Sequence, residues 1–163
     1  MSTITEGYPA SAGEAIALLQ TRPQLSINDM KVLALIEQSA EGFYLDLARA
    51  AGNPEVAALL ERNGHEERGH AHRLVKALGA LGETFTLPPV EQNPFHQPMH
   101  CESLDRDFLT CLVQAEQGVD SSYQTWADHA SNSEVGKILR QNGKEETGHG
   151  ARVSQALDLL KAA

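Results

Sequence analysis

The stretch Asn63-Gly64-His65-Glu66-Glu67-Arg68-Gly69-His70 returns, displaced by 79 residues, as Asn142-Gly143-Lys144-Glu145-Glu146-Thr147-Gly148-His149. Both copies hold Glu-x-x-His. Residues three apart on a helix lie on one face about a turn apart, so Glu67 stands beside His70 and Glu146 beside His149. The same displacement carries Glu37 onto Glu116. Aligned without a gap, residues 26–83 repeat as 105–162, far beyond what unrelated helical sequences share. The chain therefore reads as a duplicated helical hairpin, and any fold must bring two copies of each acidic position into register.

The surrounding sequence favours helices throughout. Aromatic content is low, and Ala, Leu, Glu, Gln and Lys outweigh β-branched residues, which predicts an all-α class. Ser11-Ala12-Gly13-Glu14 has the form of a capping box and opens a short helix near 12–21, before Pro23. A first long helix runs from about Ser26, with Asp29 completing a second capping box, to about Ala51. Met30, Leu33, Glu37, Ala40, Tyr44, Leu47 and Ala51 form its seam, in alternating steps of three and four. Gly52-Asn53-Pro54 then supplies a helix end, an N-cap and a first-turn proline, so the second helix runs straight back. Its seam contains three polar positions in succession, Asn63, Glu67 and His70.

Between Glu83 and His100 lie Pro88, Pro89, Pro94 and Pro98, which predict an extended crossover instead of a hairpin. That link is expected to lay the third long helix, from about Ser103 to Ala130, parallel to the first. Asn132 caps the fourth. The predicted architecture is an all-α four-helix bundle made of two antiparallel hairpins with a long middle crossover. An N-terminal segment with a short helix, residues 1–25, precedes a bundle domain at 26–163.

Composition excludes several functions. A formal charge of −9, with 13 basic residues that never cluster, argues against nucleic-acid binding. Cys101 and Cys111 form no Cys-x-x-Cys pair and read as structural thiols. No basic segment followed by an apolar run opens the chain, and no stretch approaches the ~18 apolar residues of a membrane span. No membrane partner is expected, and the predicted location is cytoplasmic.

The acidic seam positions carry the chemistry. Four carboxylates at the centre of apolar seams would each cost several kcal/mol if uncompensated, and they would repel one another. No Lys or Arg occupies the seams at that level. Two divalent cations supply the missing charge and accept carboxylate oxygen and imidazole nitrogen together. One Glu from each of two helices, with Glu-x-x-His from each of the other two, is the ligand pattern of ferritin-like di-iron and di-manganese bundles. The sequence resembles that superfamily over both hairpins, about 26–162.

The resemblance implies two iron ions, with manganese or zinc suited to the same donors. Glu37, Glu67 and His70 would be one hairpin's share and Glu116, Glu146 and His149 the other's. Glu67 and Glu146 would bridge ions ~3.5–4 Å apart. Glu66 and Glu145 match acidic residues that, in similar proteins, hydrogen-bond the opposite imidazole. Tyr44 and Tyr123, seven residues beyond Glu37 and Glu116, read either as core phenols or as donors to a ligand. Glu41 and Asp120 read as solvated, and His65, His72 and His129 as surface residues. Arg73 and Arg152 are candidate partners for Glu66 or Glu145. Gly64, Gly69, Gly143 and Gly148 imply close helix approach or room for a substrate. His96, His100 and Cys101 form a minor candidate metal site in the crossover.

Within the superfamily, rubrerythrins carry an added Glu three residues after the third-helix ligand, where this chain has Val119. Bacterioferritins carry a haem-ligating Met after the second-helix Glu, where it has Arg68. A standard rubrerythrin and a mineral-storing cage are both disfavoured, the latter also because the chain stops at Ala163. The expected chemistry is reaction with dioxygen or hydrogen peroxide, in oxidative stress or iron handling, with an unidentified electron donor and a homodimeric assembly. A second reading is a monooxygenase acting on a small organic molecule. The short chain leaves little room for its pocket, although an apolar tunnel to the metals would favour it. A third is a metal-binding protein without turnover.

Overall fold

In the computed structural model, residues 4–100 and 102–162 are described. The elements are α1 (Ala12–Gln20), α2 (Ile27–Ala50), α3 (Pro54–Ala80), a 3-10 turn at Val90–Gln92, α4 (Arg106–Asp128) and α5 (Ser133–Ala162). No strand occurs among the described residues. The long helices form a four-helix bundle, with α1 packed beside α2. None of these helices is long and apolar enough to cross a membrane.

Each boundary follows from local chemistry. Ser11 accepts from the Glu14 amide and Ser26 forms a reciprocal capping box with Asp29. Asn53 and Asn132 cap α3 and α5 in the same way, each oxygen accepting from the amides two and three residues on. Gly52 turns the chain between α2 and α3 at φ +62°, a conformation that costs residues with a side chain. The third long helix is shorter than the sequence implies, because Asp105, not Ser103, supplies its cap.

The crossover decides the bundle's topology. Lys31 pairs with Glu83 at 2.8 Å, Gln38 donates to the Pro88 carbonyl, and the Met99 amide donates to Asp46. Rising crossover numbers thus meet rising numbers on α2, so the link runs the length of the bundle. Buried Asn93 pins its middle, donating to the Leu35 carbonyl and to Gln38. The chain enters α4 at the far end, so α4 lies antiparallel to α2 and not parallel as the sequence suggested. Tyr44 against Glu116 and Tyr123 against Glu37 confirm the direction. A short link would have given the parallel arrangement; a bundle-long one reverses it.

Two apolar clusters fill the ends of the bundle. One gathers Leu33, Leu74, Leu78, Trp126 and Leu139 with Ala15 and Leu19 of α1. The other gathers Leu47, Val56, Leu60, Leu109 and Val153. The acidic and imidazole positions lie between them. The Trp126 ring nitrogen donates to the Arg22 carbonyl, tying the α1–α2 link to the bundle. Cys111 is exposed on α4 and not a core thiol, because α4 turns Leu109 and Glu116 inward. Cys101, expected to be the other structural thiol, lies outside the described residues.

The repeated glycines divide by cause. A Cβ on Gly143 would meet Gln124, Asp120 and Tyr123 atoms at 2.7–2.8 Å, and one on Gly64 would meet the Glu41 carbonyl at 3.1 Å. Both let the helices of a hairpin approach closely. Gly69 and Gly148 instead lie beneath the guanidinium groups of Arg73 and Arg152, at 3.4–3.5 Å. Gly143→Ala is expected to destabilise the fold by about 1–3 kcal/mol through overpacking. Gly79→Ala, on α3 with nothing within 4 Å of the added atom, should stabilise by about 0.5–1 kcal/mol. Urea unfolding of the two variants checks both signs.

Candidate metal centre

The six sequence-predicted residues converge at mid-bundle. Glu37 comes from α2, Glu67 and His70 from α3, Glu116 from α4, and Glu146 and His149 from α5. All are buried, with both imidazoles at 0 %, Glu67 at 3 % and Glu146 at 1 % exposure. Ligand-type atoms of Glu37, Glu67, His70 and Glu146 lie within 4.8 Å of one another, as do those of Glu67, Glu116, Glu146 and His149. Glu67 and Glu146 belong to both groups, so the two candidate ion positions share them.

The donor atoms face inward without partners suited to them. Glu67 Oε2, Glu146 Oε1 and the Nδ1 atoms of His70 and His149 are buried and make no hydrogen bond. Yet His70 Nδ1 lies 3.2 Å from Glu67 and 3.1 Å from Glu146, and His149 Nδ1 lies 3.0 Å from Glu146 and 3.3 Å from Glu67. Buried polar atoms normally pair, and an orphaned set that converges from four helices is what a cation would satisfy. The donor set of four carboxylates and two imidazoles fits two first-row transition ions.

The outer ring nitrogens are held from the opposite hairpin. His70 Nε2 lies 3.0 Å from Glu145, and His149 Nε2 lies 3.2 Å from Glu66, close but not aligned as a hydrogen bond. Arg73 pairs with Glu145 and Arg152 with Glu66. The same arginines donate to Asn142 and Asn63. Those asparagines in turn donate to the backbone carbonyls of His70 and His149. A carboxylate behind an imidazole sets which nitrogen carries the proton and leaves the other free for a metal.

The tyrosines cross over too. Tyr44 donates to Glu116 and Tyr123 to Glu37, each holding the other hairpin's carboxylate. Burial, then the neighbouring carboxylate, raises both phenols well above their ordinary pKa, so they remain donors. Glu41, expected to be solvated, is buried at 7 % and paired with Arg68. Asp120 accepts from Thr147 and Gln124. Each meets the other helix of its own hairpin, Glu41 through Arg68 and Asp120 through Thr147, a contact that periodicity within one helix cannot reveal. His65, His72 and His129 are exposed. His96 and His100 join no candidate metal group among the described residues.

Without cations the layer holds protons. Burial and the charge of Glu67 push the Glu37 carboxyl up to about 8, and burial with Glu146 and Glu67 raises Glu116 well above the carboxylate range. Burial disfavours charge on the imidazoles, but adjoining carboxylates win. Glu146 and Glu67 push His149 up to about 10, and Glu145, Glu146 and Glu37 raise His70 further. Burial opposes ionisation of Glu67 as well, yet the adjoining imidazoles of His149 and His70 hold it below the carboxylate range. The bond to His70, aided by Arg73, draws Glu145 down to about 2.

The two sides of this layer differ. Asparagine and arginine bridges close the α3–α5 side, whereas α2 and α4 stand apart. Between them lies a cavity of about 490 Å³, reaching Glu37, Glu67, Glu116 and Glu146. The chain was expected to be too short for such a pocket. The crossover and α1 supply its outer walls, a use of these segments that their composition does not disclose. Val119, three residues beyond Glu116 on α4, lines the cavity.

The Rubrerythrin family model matches residues 34–157, a span containing all six converging residues. No curated protein and no solved structure matches the chain. The match covers well over half the sequence, and the buried carboxylate and histidine layer fits a metal site. This chain belongs to the rubrerythrin family of ferritin-like di-iron carboxylate proteins.

Proposed function

We propose that this protein binds two iron ions through Glu37, Glu67, His70, Glu116, Glu146 and His149 and reacts in its reduced form with hydrogen peroxide or dioxygen. The observation carrying this reading is the convergence of unpartnered Nδ1 and carboxylate oxygen atoms from four helices onto two overlapping groups. A bound ferrous pair would supply the two electrons needed to reduce peroxide to water.

The protein's own groups serve that reaction in distinct ways. Glu67 and Glu146, shared by both groups, hold the two positions close together. Glu145 bonds His70 Nε2 and Glu66 lies 3.2 Å behind His149 Nε2, with both Nδ1 atoms left facing inward. Tyr44 and Tyr123 position Glu116 and Glu37 by donating to them. Glu37 and Glu116 border the cavity, so the ions they would hold face the space that a small oxidant enters. The bridged side behind α3 and α5 keeps water from the imidazoles.

Metal analysis followed by stopped-flow mixing tests the reading. Anaerobic ferrous loading should give two ions per chain, and peroxide or dioxygen should oxidise them within seconds, with an ultraviolet band of bridged ferric iron. Glu67→Ala should lose at least one ion and most of the fast phase with helix content retained. Full occupancy without oxidation would leave a passive binder, and no binding would sink the proposal.

Binding should also depend on pH with a defined sign. His149 and Glu37 hold protons up to about 10 and about 8, and cations require them deprotonated. Ferrous affinity should therefore rise with pH across the range from about 6 to 8. Protons should be released on binding, as calorimetry in buffers of different ionisation enthalpy would reveal. Affinity independent of pH would contradict the assignment of these residues.

A further inference from the structure

The cavity between α2 and α4 is larger than peroxide or dioxygen requires, and its lining is ordered. Ile36, Ala40, Leu112 and Val119 form apolar walls from α2 and α4, while Ile16 and Phe95 reach in from α1 and the crossover. At about 490 Å³ it falls in the size class of small-molecule sites. Its charged groups, Glu37, Glu67, Glu116 and Glu146, all belong to the acidic layer at the floor.

Two of the polar wall groups are already engaged. The Ser39 hydroxyl donates to the Ile36 carbonyl and the Ser11 hydroxyl to Glu14. Neither needs a ligand partner. Apart from Gln97 and the two serines, an occupant therefore meets mostly carbon along the walls and carboxylate oxygen at the floor.

We propose that this cavity binds a small uncharged organic molecule, mostly apolar, with one polar end against the acidic layer. Burial of the apolar body supplies the affinity, and a charged body would be desolvated among Ile, Leu, Val and Ala with nothing to pair it. An anionic occupant is further disfavoured by the floor carboxylates, as is a broadly polar one by the walls. The proposal deepens the reading of a two-metal centre, and rests on it only for the orientation of the polar end.

The full chain loaded with zinc, which has no redox chemistry, would be titrated with an uncharged solvatochromic naphthalene probe. Linear alcohols of increasing length would then displace the probe. One saturable site per chain is expected, with a blue-shifted emission. Displacement should strengthen with chain length and then level off once the cavity is filled.

Ala40→Phe and Ala115→Phe, which add volume to the lining, should weaken the probe at least tenfold with helix content unchanged. Met99→Ala, which removes volume, should move the levelling point to longer alcohols, so the outcome does not hang on the folding of the filled variants. Absence of saturable binding, or binding indifferent to both filling and enlargement, would overturn the proposal. So would light scattering showing a dimer that Ala115→Phe dissociates, since a second copy would then be what covers the opening. Zinc content and peroxide oxidation of the iron form, read on the same variants, test the metal centre separately.

Discussion

Everything in this bundle answers to the burial of four carboxylates and two imidazoles in one layer. Such a layer is costly in an apolar interior unless positive charge meets it. Protons can do so in part, lodging on the imidazoles and on Glu37 and Glu116. They leave Glu67 Oε2, Glu146 Oε1 and both Nδ1 atoms without hydrogen bonds. Two cations would satisfy the same atoms and place positive charge where the seams put negative charge. The apolar clusters at the two ends then contribute the stability that lets the middle be polar.

The supporting shell is built by exchange between the duplicated halves. Each tyrosine holds the other hairpin's carboxylate, each arginine pairs with the other hairpin's Glu, and each asparagine bonds the other hairpin's histidine carbonyl. Neither hairpin could assemble the centre by itself. This reciprocity follows from the antiparallel course of α2 opposite α4 and of α3 against α5, which places equivalent residues at equal distances about the midpoint. It also explains why the repeat extends beyond the Glu and His positions to Asn63, Tyr44 and Arg73.

Duplication does not make the surroundings equal. On the α3–α5 side the polar bridges lock the helices together and exclude solvent. On the α2–α4 side the helices part, and segments outside the repeat, α1 and the crossover, become walls. The cavity's chemistry is thus set by residues such as Ile16 and Phe95 that have no duplicate. A symmetrical layer approached from one side has its donor set fixed by the repeat and its access fixed by segments outside it.

By itself the sequence determined the helices, their caps, the duplication and the six residues of the layer, because spacing along a helix is a local property and Glu-x-x-His shares one face whatever surrounds it. Chain tracing through space decided the rest. That α4 opposes α2 depended on a crossover running the whole bundle, which prolines allow but do not specify. The pairing of Glu41 with Arg68, the exposure of Cys111 and the cavity depended on which faces of separate helices meet. Those are facts of packing between segments distant in the chain, and no periodicity within one segment encodes them.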